Sequence, residues 1–419
     1  MAQKLQFVIL GAGGRGRTFS EILSEECGPG SVVAVAEPDA RRRAKIAETH
    51  GIPAKHCFET WQQLLDQPKM ADIVVNTTMD HDHIGSAVKA MELGYHMLLE
   101  KPMAVTLADC ETINNVRKAT GRIVSVCHSL RYHATFAAVR DLLRSGVIGD
   151  IVSYDQLEAV EHVHQSHSFV RGNWANESRS TFMLMSKSCH DIDILVDMVD
   201  DEVVDASSYG ERTFFREENK PEGAPQYCIE GCPHANTCPY DATKLYLSES
   251  GWAKYVGFAD MPRQQAMDAL RVSPYGRCVF QTDNDVVDHQ VVALKFAGGQ
   301  TATFTMTAFT PFGGRFIRVH GTKGYLESKV DEGKIDYWEF WKNNQKTSVD
   351  VPKAQGAHGG ADALVMRTLI KAVVDNDPSL VLTDTETSLK THRVVFMAEQ
   401  ARRSGANVKV QGRTGVTAI

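Results

Sequence analysis

The sequence predicts an α/β domain built on a parallel sheet, followed by an α+β domain. Three observations predict it. Apolar runs rich in Val and Ile alternate with amphipathic segments as far as Cys127, the pattern of a sheet covered by helices on both faces. The first run, Phe7-Val8-Ile9-Leu10, breaks into Gly11-Ala12-Gly13-Gly14-Arg15-Gly16 before a helical pattern begins. Later in the chain apolar positions recur with a period of two, the mark of an antiparallel sheet with one covered face.

In chain order, strands are predicted at 6–10, 32–36, 73–76, 96–99 and 123–127. Helical spacing over 59–65 and 84–93 lies between them, and Gly94 is placed to end the second helix. The glycine loop reads as a dinucleotide site. Gly11 permits a tight turn, Gly13 lets the backbone approach a pyrophosphate, and Gly16 lets the next helix pack closely. Free N–H groups at that helix start hold phosphates. The second apolar run ends in Glu37, about twenty residues past the loop, where a carboxylate accepts from a ribose 2'-hydroxyl and repels a 2'-phosphate. NAD is therefore expected over NADP, with Arg41-Arg42-Arg43 partly offsetting the repulsion. Residues 1–127 form a Rossmann domain on this reading.

The second domain, 128–419, opens with a helix at 135–143 and a strand at 151–157. Alternation over 291–296, 301–307 and 316–319 supplies its antiparallel sheet, and helices at 363–374 and 385–402 close it, the latter capped by Thr383-Asp384. A loop-rich, cysteine-containing insertion occupies about 211–274.

A chain of 419 residues suits two cores rather than one. Its 43% hydrophobic and 23% charged residues are those of an ordinary globular protein. A net charge of -7 gives no reason to expect nucleic acid or an anionic membrane as partner. The first apolar segment is too short for a membrane span or a signal peptide. Nine scattered cysteines suit a reducing compartment. A cytoplasmic protein with a small-molecule partner is the expectation.

Glu100-Lys101-Pro102 follows the strand at 96–99, at the carboxyl edge of the sheet, where open α/β sheets bind ligands. An ammonium beside a nicotinamide hydrogen-bonds a substrate hydroxyl, favours its alkoxide character and assists hydride departure. Taken with Asn76-Thr77-Thr78 and the downstream His83, the run from Gly94 through Lys101-Pro102, and Cys189-His190-Asp191-Ile192-Asp193, the chain resembles the Gfo/Idh/MocA family of sugar and polyol oxidoreductases over nearly its full length. The resemblance implies a Rossmann domain followed by a mostly antiparallel open sheet, often used for oligomerisation, and NAD(P)-dependent redox chemistry at a carbohydrate carbon. It places Gly11, Ala12, Gly13, Gly14, Arg15, Gly16, Glu37, Thr77, Thr78, His83, Glu100 and Lys101 at the cofactor. Lys101 matches the family's active-site lysine and His190 its catalytic histidine. The family often carries an acid four positions before that histidine. Here the residue is Ser186, followed by Lys187, so Lys187 or Asp191 is expected to supply part of that function. Imidazole titrates near neutrality, which suits His190 to act as general base.

The stretch 161–176 mixes polar donors with aromatics as sugar sites do. Trp174 is expected against a pyranose face, with Arg171 and Asn173 fixing orientation. His162, His164 and His167 also admit a metal. His128, Arg131 and Tyr132 are expected at the interdomain cleft, and His358-Gly359-Gly360 with Asp362 reaches toward the same pocket. In the insertion, Cys228, Cys232 and Cys238 point to a structural Zn site completed by Cys278 or His234. The spacing is not the usual CxxC pair, and free or buried thiols are the alternative.

These features predict a dehydrogenase moving a hydride between NAD and a secondary carbinol of a sugar, glycoside or cyclitol. The same residues suit a redox-neutral glycosidase, in which transient C3 oxidation acidifies the C2 hydrogen, the aglycone leaves, water adds and the hydride returns. A noncatalytic NAD-binding regulator is a third class. A homodimer or homotetramer is expected, with one open sheet face covered by another subunit.

Overall fold

The computed structural model describes residues 5–248, 251–259, 261–352, 356–411 and 415–418. Its first sheet has six parallel strands: β1 (Phe7–Leu10), β2 (Val32–Ala36), β3 (Cys57–Phe58), β4 (Ile73–Asn76), β5 (His96–Leu99) and β6 (Val124–Val126). Their order is β3-β2-β1-β4-β5-β6. The strand order reverses between β1 and β4, which leaves the ligand crevice at their carboxyl ends. The predicted strands are present, β6 being trimmed to three residues. β3 escapes sequence reading, because two residues carry no periodicity.

The glycine loop sits at that crevice. Gly11 has φ of 88°, and a Cβ there would lie 2.4 Å from the Thr77 carbonyl oxygen. A Cβ on Gly16 would lie 2.0 Å from the Gly11 carbonyl oxygen, so the helix Gly14–Cys27 can start this close to the strand only with glycine. At Gly13 and Gly14 a Cβ would meet nothing within 4 Å. The outer side of the loop is open to a ligand.

The second sheet has ten strands: β7 (Ile151–Ala159), β8 (Val203–Glu211), β9 (His289–Phe296), β10 (Thr301–Thr307), β11 (Gly314–Gly321), β12 (Gly324–Lys329), β13 (Lys334–Glu339), β14 (Lys346–Asp350), β15 (Val408–Gln411) and β16 (Gly415–Ala418). β7 and β10 pair parallel, and the other pairings among the described residues of this sheet are antiparallel. Helices Ala134–Arg144, Cys189–Val199 and Thr385–Ser404 place Phe136, Ile192 and Val395 in the core on its inner face. Asp384 caps the last of these by accepting from Thr387 N at 2.9 Å.

One connection is not legible in the sequence. Helix Ala361–Asp375 belongs by position to the second domain, yet it packs Val365, Met366 and Leu369 against Phe7 and Ile9 on one face of the first sheet. Helix Thr385–Ser404 places Leu389 in the core on the other face. The end of the chain thus supplies part of the first sheet's helical cover. The insertion runs through 212–288, between β8 and β9, and carries short helices including Trp252–Tyr255.

Candidate active site

Glu37 stands beside the glycine loop, its Oε2 accepting from Ala12 N at 2.6 Å and its Oε1 from Asp39 N at 2.9 Å. These bonds fix the carboxylate at the end of β2. Arg43 turns its guanidinium back onto the Glu37 carbonyl. The helix beginning at Gly14 has no side-chain cap, so its first N–H groups are available to a pyrophosphate. The loop, its uncapped helix and Glu37 fit an NAD. Glu37→Ser is expected to weaken NAD binding about ten- to a hundredfold, the range for a lost hydrogen bond to a charged group, and to narrow the preference over NADP. Fluorescence titration with both cofactors checks this.

The remaining cofactor-loop residues mostly brace the loop. Thr77 Oγ1 donates to the Leu10 and Gly11 carbonyls at 3.0 and 2.7 Å, and Thr78 Oγ1 donates to Asn76 Oδ1 at 2.8 Å. His83 places Nδ1 2.7 Å from the Pro102 carbonyl and Nε2 3.3 Å from that of Thr78. Arg15 is held by Glu100 Oε1 at 2.6 Å and by both Asp362 oxygens at 2.6 and 2.9 Å. Its guanidinium therefore ties the loop to the end of β5 and to the helix Ala361–Asp375.

Lys101 Nζ donates to the Ser186 carbonyl oxygen, four residues before His190. That contact is one of several that join the edge of the first sheet to the second domain, with Met103 N donating to His392 Nε2 at 3.0 Å as another. His190 is 3% exposed. Its Nε2 lies 3.1 Å from Asp191 Oδ2 and 3.0 Å from Arg315 Nη2. Burial, then Arg315, Lys101 and Lys187, push its imidazole well below the usual histidine range. Lys187 pairs with Glu158 at 2.7 Å, and Arg315 reaches Glu158 at 3.0 Å and Asp191 at 2.7 Å. His358 meets the His190 ring edge-on, with centroids 6.2 Å apart, and sits 3.0 Å from Asp362.

Glu158 and Arg315 are not singled out by the sequence reading, although each leaves a trace there. They are directly opposed across β7 and β11. Glu158 shares the buried face of β7 with Tyr154 and Gln156, and Arg315 shares that of β11 with Ile317 and Val319. A charged residue at an inward register position is the available signal.

Several expected substrate contacts lie elsewhere. Arg131 is spent on Asp193 at 2.6 and 3.0 Å and on Asp197 at 2.8 Å, so it braces the helix Cys189–Val199. His128 is sealed from solvent against His392, with neither ring nitrogen bonded. Tyr132 Oη accepts from Leu382 N at 3.0 Å. Arg171 is buried beneath the insertion, donating to the carbonyls of Arg277 and Tyr240 at 2.7 Å each. It cannot reach a sugar while held there. Asn173 is exposed with its amide 3.9 Å from Met79 Sδ, and Trp174 is half-buried against Phe169.

Cys228, Cys232, Cys238 and Cys278 line one small cavity together with His234 and Arg171. All four are free thiols. Among the described residues, no three His, Cys, Asp or Glu side chains stand in an arrangement that holds a metal. A guanidinium lies among the sulfurs, with Arg171 Nη2 3.7 Å from Cys228 Sγ, and burial pushes Cys228, Cys238 and Cys278 toward the neutral thiol.

Buried histidines give the fold an acid limit. Burial holds His128 and His190 below their ordinary value and His392 at about 3. The unfolded chain binds more protons below about pH 6.5, so stability is complete above that value and is lost as pH falls. The thermal midpoint is expected to drop steadily from pH 7 to pH 5 and to stay level from pH 7 to pH 8.

No helix among the described residues is long and apolar enough to cross a membrane. Residues 5–128 match the family model described as an oxidoreductase family with an NAD-binding Rossmann fold, and 140–410 match that family's C-terminal alpha/beta domain. Among curated proteins, YteT of Bacillus subtilis, a putative oxidoreductase by name, is 23% identical over 313 residues, covering 71% of this chain and 72% of that one. An inositol 2-dehydrogenase of Gluconacetobacter diazotrophicus is 26% identical over 199 residues, 47% of this chain and 55% of its own length. Levoglucosan dehydrogenase, solved with NADH and levoglucosan, superposes with a TM-score of 0.71 at 16% identity, covering 97% of this chain and 100% of that one. Aldose-aldose oxidoreductase of Caulobacter crescentus, solved with glycerol, gives 0.67 at 19% identity with the same coverage of 97% and 100%. At these identities the two structures speak for the fold, and the family models speak for descent. With both of its domains matched in order, this chain belongs to the Gfo/Idh/MocA oxidoreductase family.

Proposed function

We propose that the protein is an NAD-dependent oxidoreductase acting on a secondary hydroxyl of a sugar, glycoside or cyclitol. The observation that carries this reading is the bond from Lys101 Nζ to the Ser186 carbonyl, which brings the ammonium to the segment leading into the helix that bears His190. NAD bound on the glycine loop supplies the hydride acceptor. Lys101 donates to the substrate oxygen and stabilises its alkoxide character. His190, whose Nε2 lone pair is held by Arg315 Nη2 at 3.0 Å until the substrate hydroxyl replaces that contact, is the base that takes the carbinol proton and returns it in reduction. Asp191 then stabilises the imidazolium, and Arg315 anchors Asp191. The inositol and levoglucosan dehydrogenases among the relatives support the substrate class. Tyr209 and Val291, paired and exposed on the outer face of the second sheet, support a dimer or tetramer.

The test is a panel of free sugars, cyclitols and glycosides in which NADH absorbance and bond cleavage are followed together. NADH formation that tracks sugar concentration without aglycone release is expected. Aglycone release with no net NADH would instead identify the redox-neutral hydrolase, and neither signal would refute both readings.

A further inference from the structure

The insertion between β8 and β9 meets, at one histidine, the segment that follows β7, the strand whose Glu158 pairs with Lys187 at 2.7 Å and Arg315 at 3.0 Å. Trp252, at the start of the short helix Trp252–Tyr255, has its ring 5.6 Å from that of His164, and Phe169 flanks the same imidazole at 6.0 Å. Burial, and after it the charges of Lys187, His167, Lys101 and Arg315, hold the His164 imidazole neutral, at about 3. The three histidines of this segment differ in what they have left to give. His167 bonds Tyr246 Oη through Nδ1 at 3.0 Å and stacks on Tyr275. His162 has Nδ1 sealed without a partner and Nε2 3.5 Å from Glu161. Neither ring nitrogen of His164 makes a hydrogen bond among the described residues, and neither is sealed from solvent, since the residue is half-buried.

A neutral imidazole offers one N–H and one lone pair. That is the pairing a ring hydroxyl asks for, and an indole face beside it suits the C–H face of a sugar. We propose that His164 is a specificity-determining residue that hydrogen-bonds a ring hydroxyl next to the reacting carbinol, while Trp252 of the insertion forms the adjoining wall for a pyranose or cyclitol ring. The inference rests on the oxidoreductase reading above and adds to it a second contact point on the substrate. It also gives the insertion a role, since its aromatic cluster presents Trp252 beside His164.

The experiment is steady-state kinetics of the full chain with NAD and the sugar giving most NADH in the panel, for His164→Ala, His164→Gln and Trp252→Ala. His164→Ala and Trp252→Ala are expected to raise KM for the sugar about tenfold or more, with kcat changed far less and the NAD dissociation constant unchanged. His164→Gln, which keeps one donor and one acceptor, should recover part of the loss. A merely structural role would lower the thermal midpoint and kcat together without rescue by Gln, and that pattern overturns the proposal. So does an unchanged KM in His164→Ala. Should His164→Ala fail to fold, the KM values of His164→Gln and Trp252→Ala decide. No turnover by the wild-type chain on any sugar would overturn the oxidoreductase reading and this inference with it, whereas wild-type turnover with indifferent variants removes this inference alone.

Discussion

Replacing Lys101 by Met is expected to lower kcat by about 10²–10⁴-fold, the range for losing a positioned proton donor or acceptor in the transition state. NAD binding should be unaffected, because the loop and Glu37 make their contacts without the Lys101 ammonium. The methionine keeps the length of the side chain while removing the charge. Lys101 forms no ion pair among the described residues, and its ammonium is satisfied by a carbonyl. Its loss therefore strands no buried carboxylate, and the fold should survive. Stopped-flow hydride transfer with the folded variant separates this from a defect in binding. An active Lys101→Met enzyme would leave the mechanism without its electrophile.

Arg315→Met should produce the largest loss of stability. The guanidinium-bearing residue is 8% exposed and faces Asp191, 0% exposed, and Glu158, 2% exposed. Removing one partner of a buried pair leaves an uncompensated charge, at a cost of about 3–5 kcal/mol. Lys187 stays with Glu158, so the uncompensated charge falls mainly on Asp191. Urea unfolding checks the magnitude. The same substitution removes the cation nearest His190, so in whatever fraction folds, the acid limb of kcat against pH should move upward. An unchanged unfolding midpoint would show that the cluster is solvated in a way its burial does not allow.

How far the molecule can be read from its sequence depends on range. The glycine loop, Glu37 and the strands of the first sheet are legible because local backbone demands fix them. Gly16 can be only glycine where a Cβ would stand 2.0 Å from a carbonyl oxygen. The family motifs point to Lys101 and His190, and the fold sets Lys101 Nζ on the Ser186 carbonyl, four residues before that histidine. Contacts between residues far apart in sequence are not legible. Arg15 meets Asp362, and Glu158 meets Arg315, pairings that no spacing announces. The segment 161–176 shows the same limit. Its composition points to a polar site, but composition cannot tell that Arg171 turns into the insertion while His164 stands beside Trp252 and Phe169. Similarly, the spacing of three close cysteines cannot tell that a guanidinium stands beside one of them.

The central claim is that Lys101 and His190 share one carbinol carbon in front of the nicotinamide. A crystal structure of the protein soaked with NAD tests it most directly. The nicotinamide C4 should lie in the space between Lys101 Nζ and the His190 imidazole, with the ribose hydroxyls of the adenosine on Glu37. A nicotinamide that lies away from both side chains, with the adenosine still on Glu37, would contradict the account.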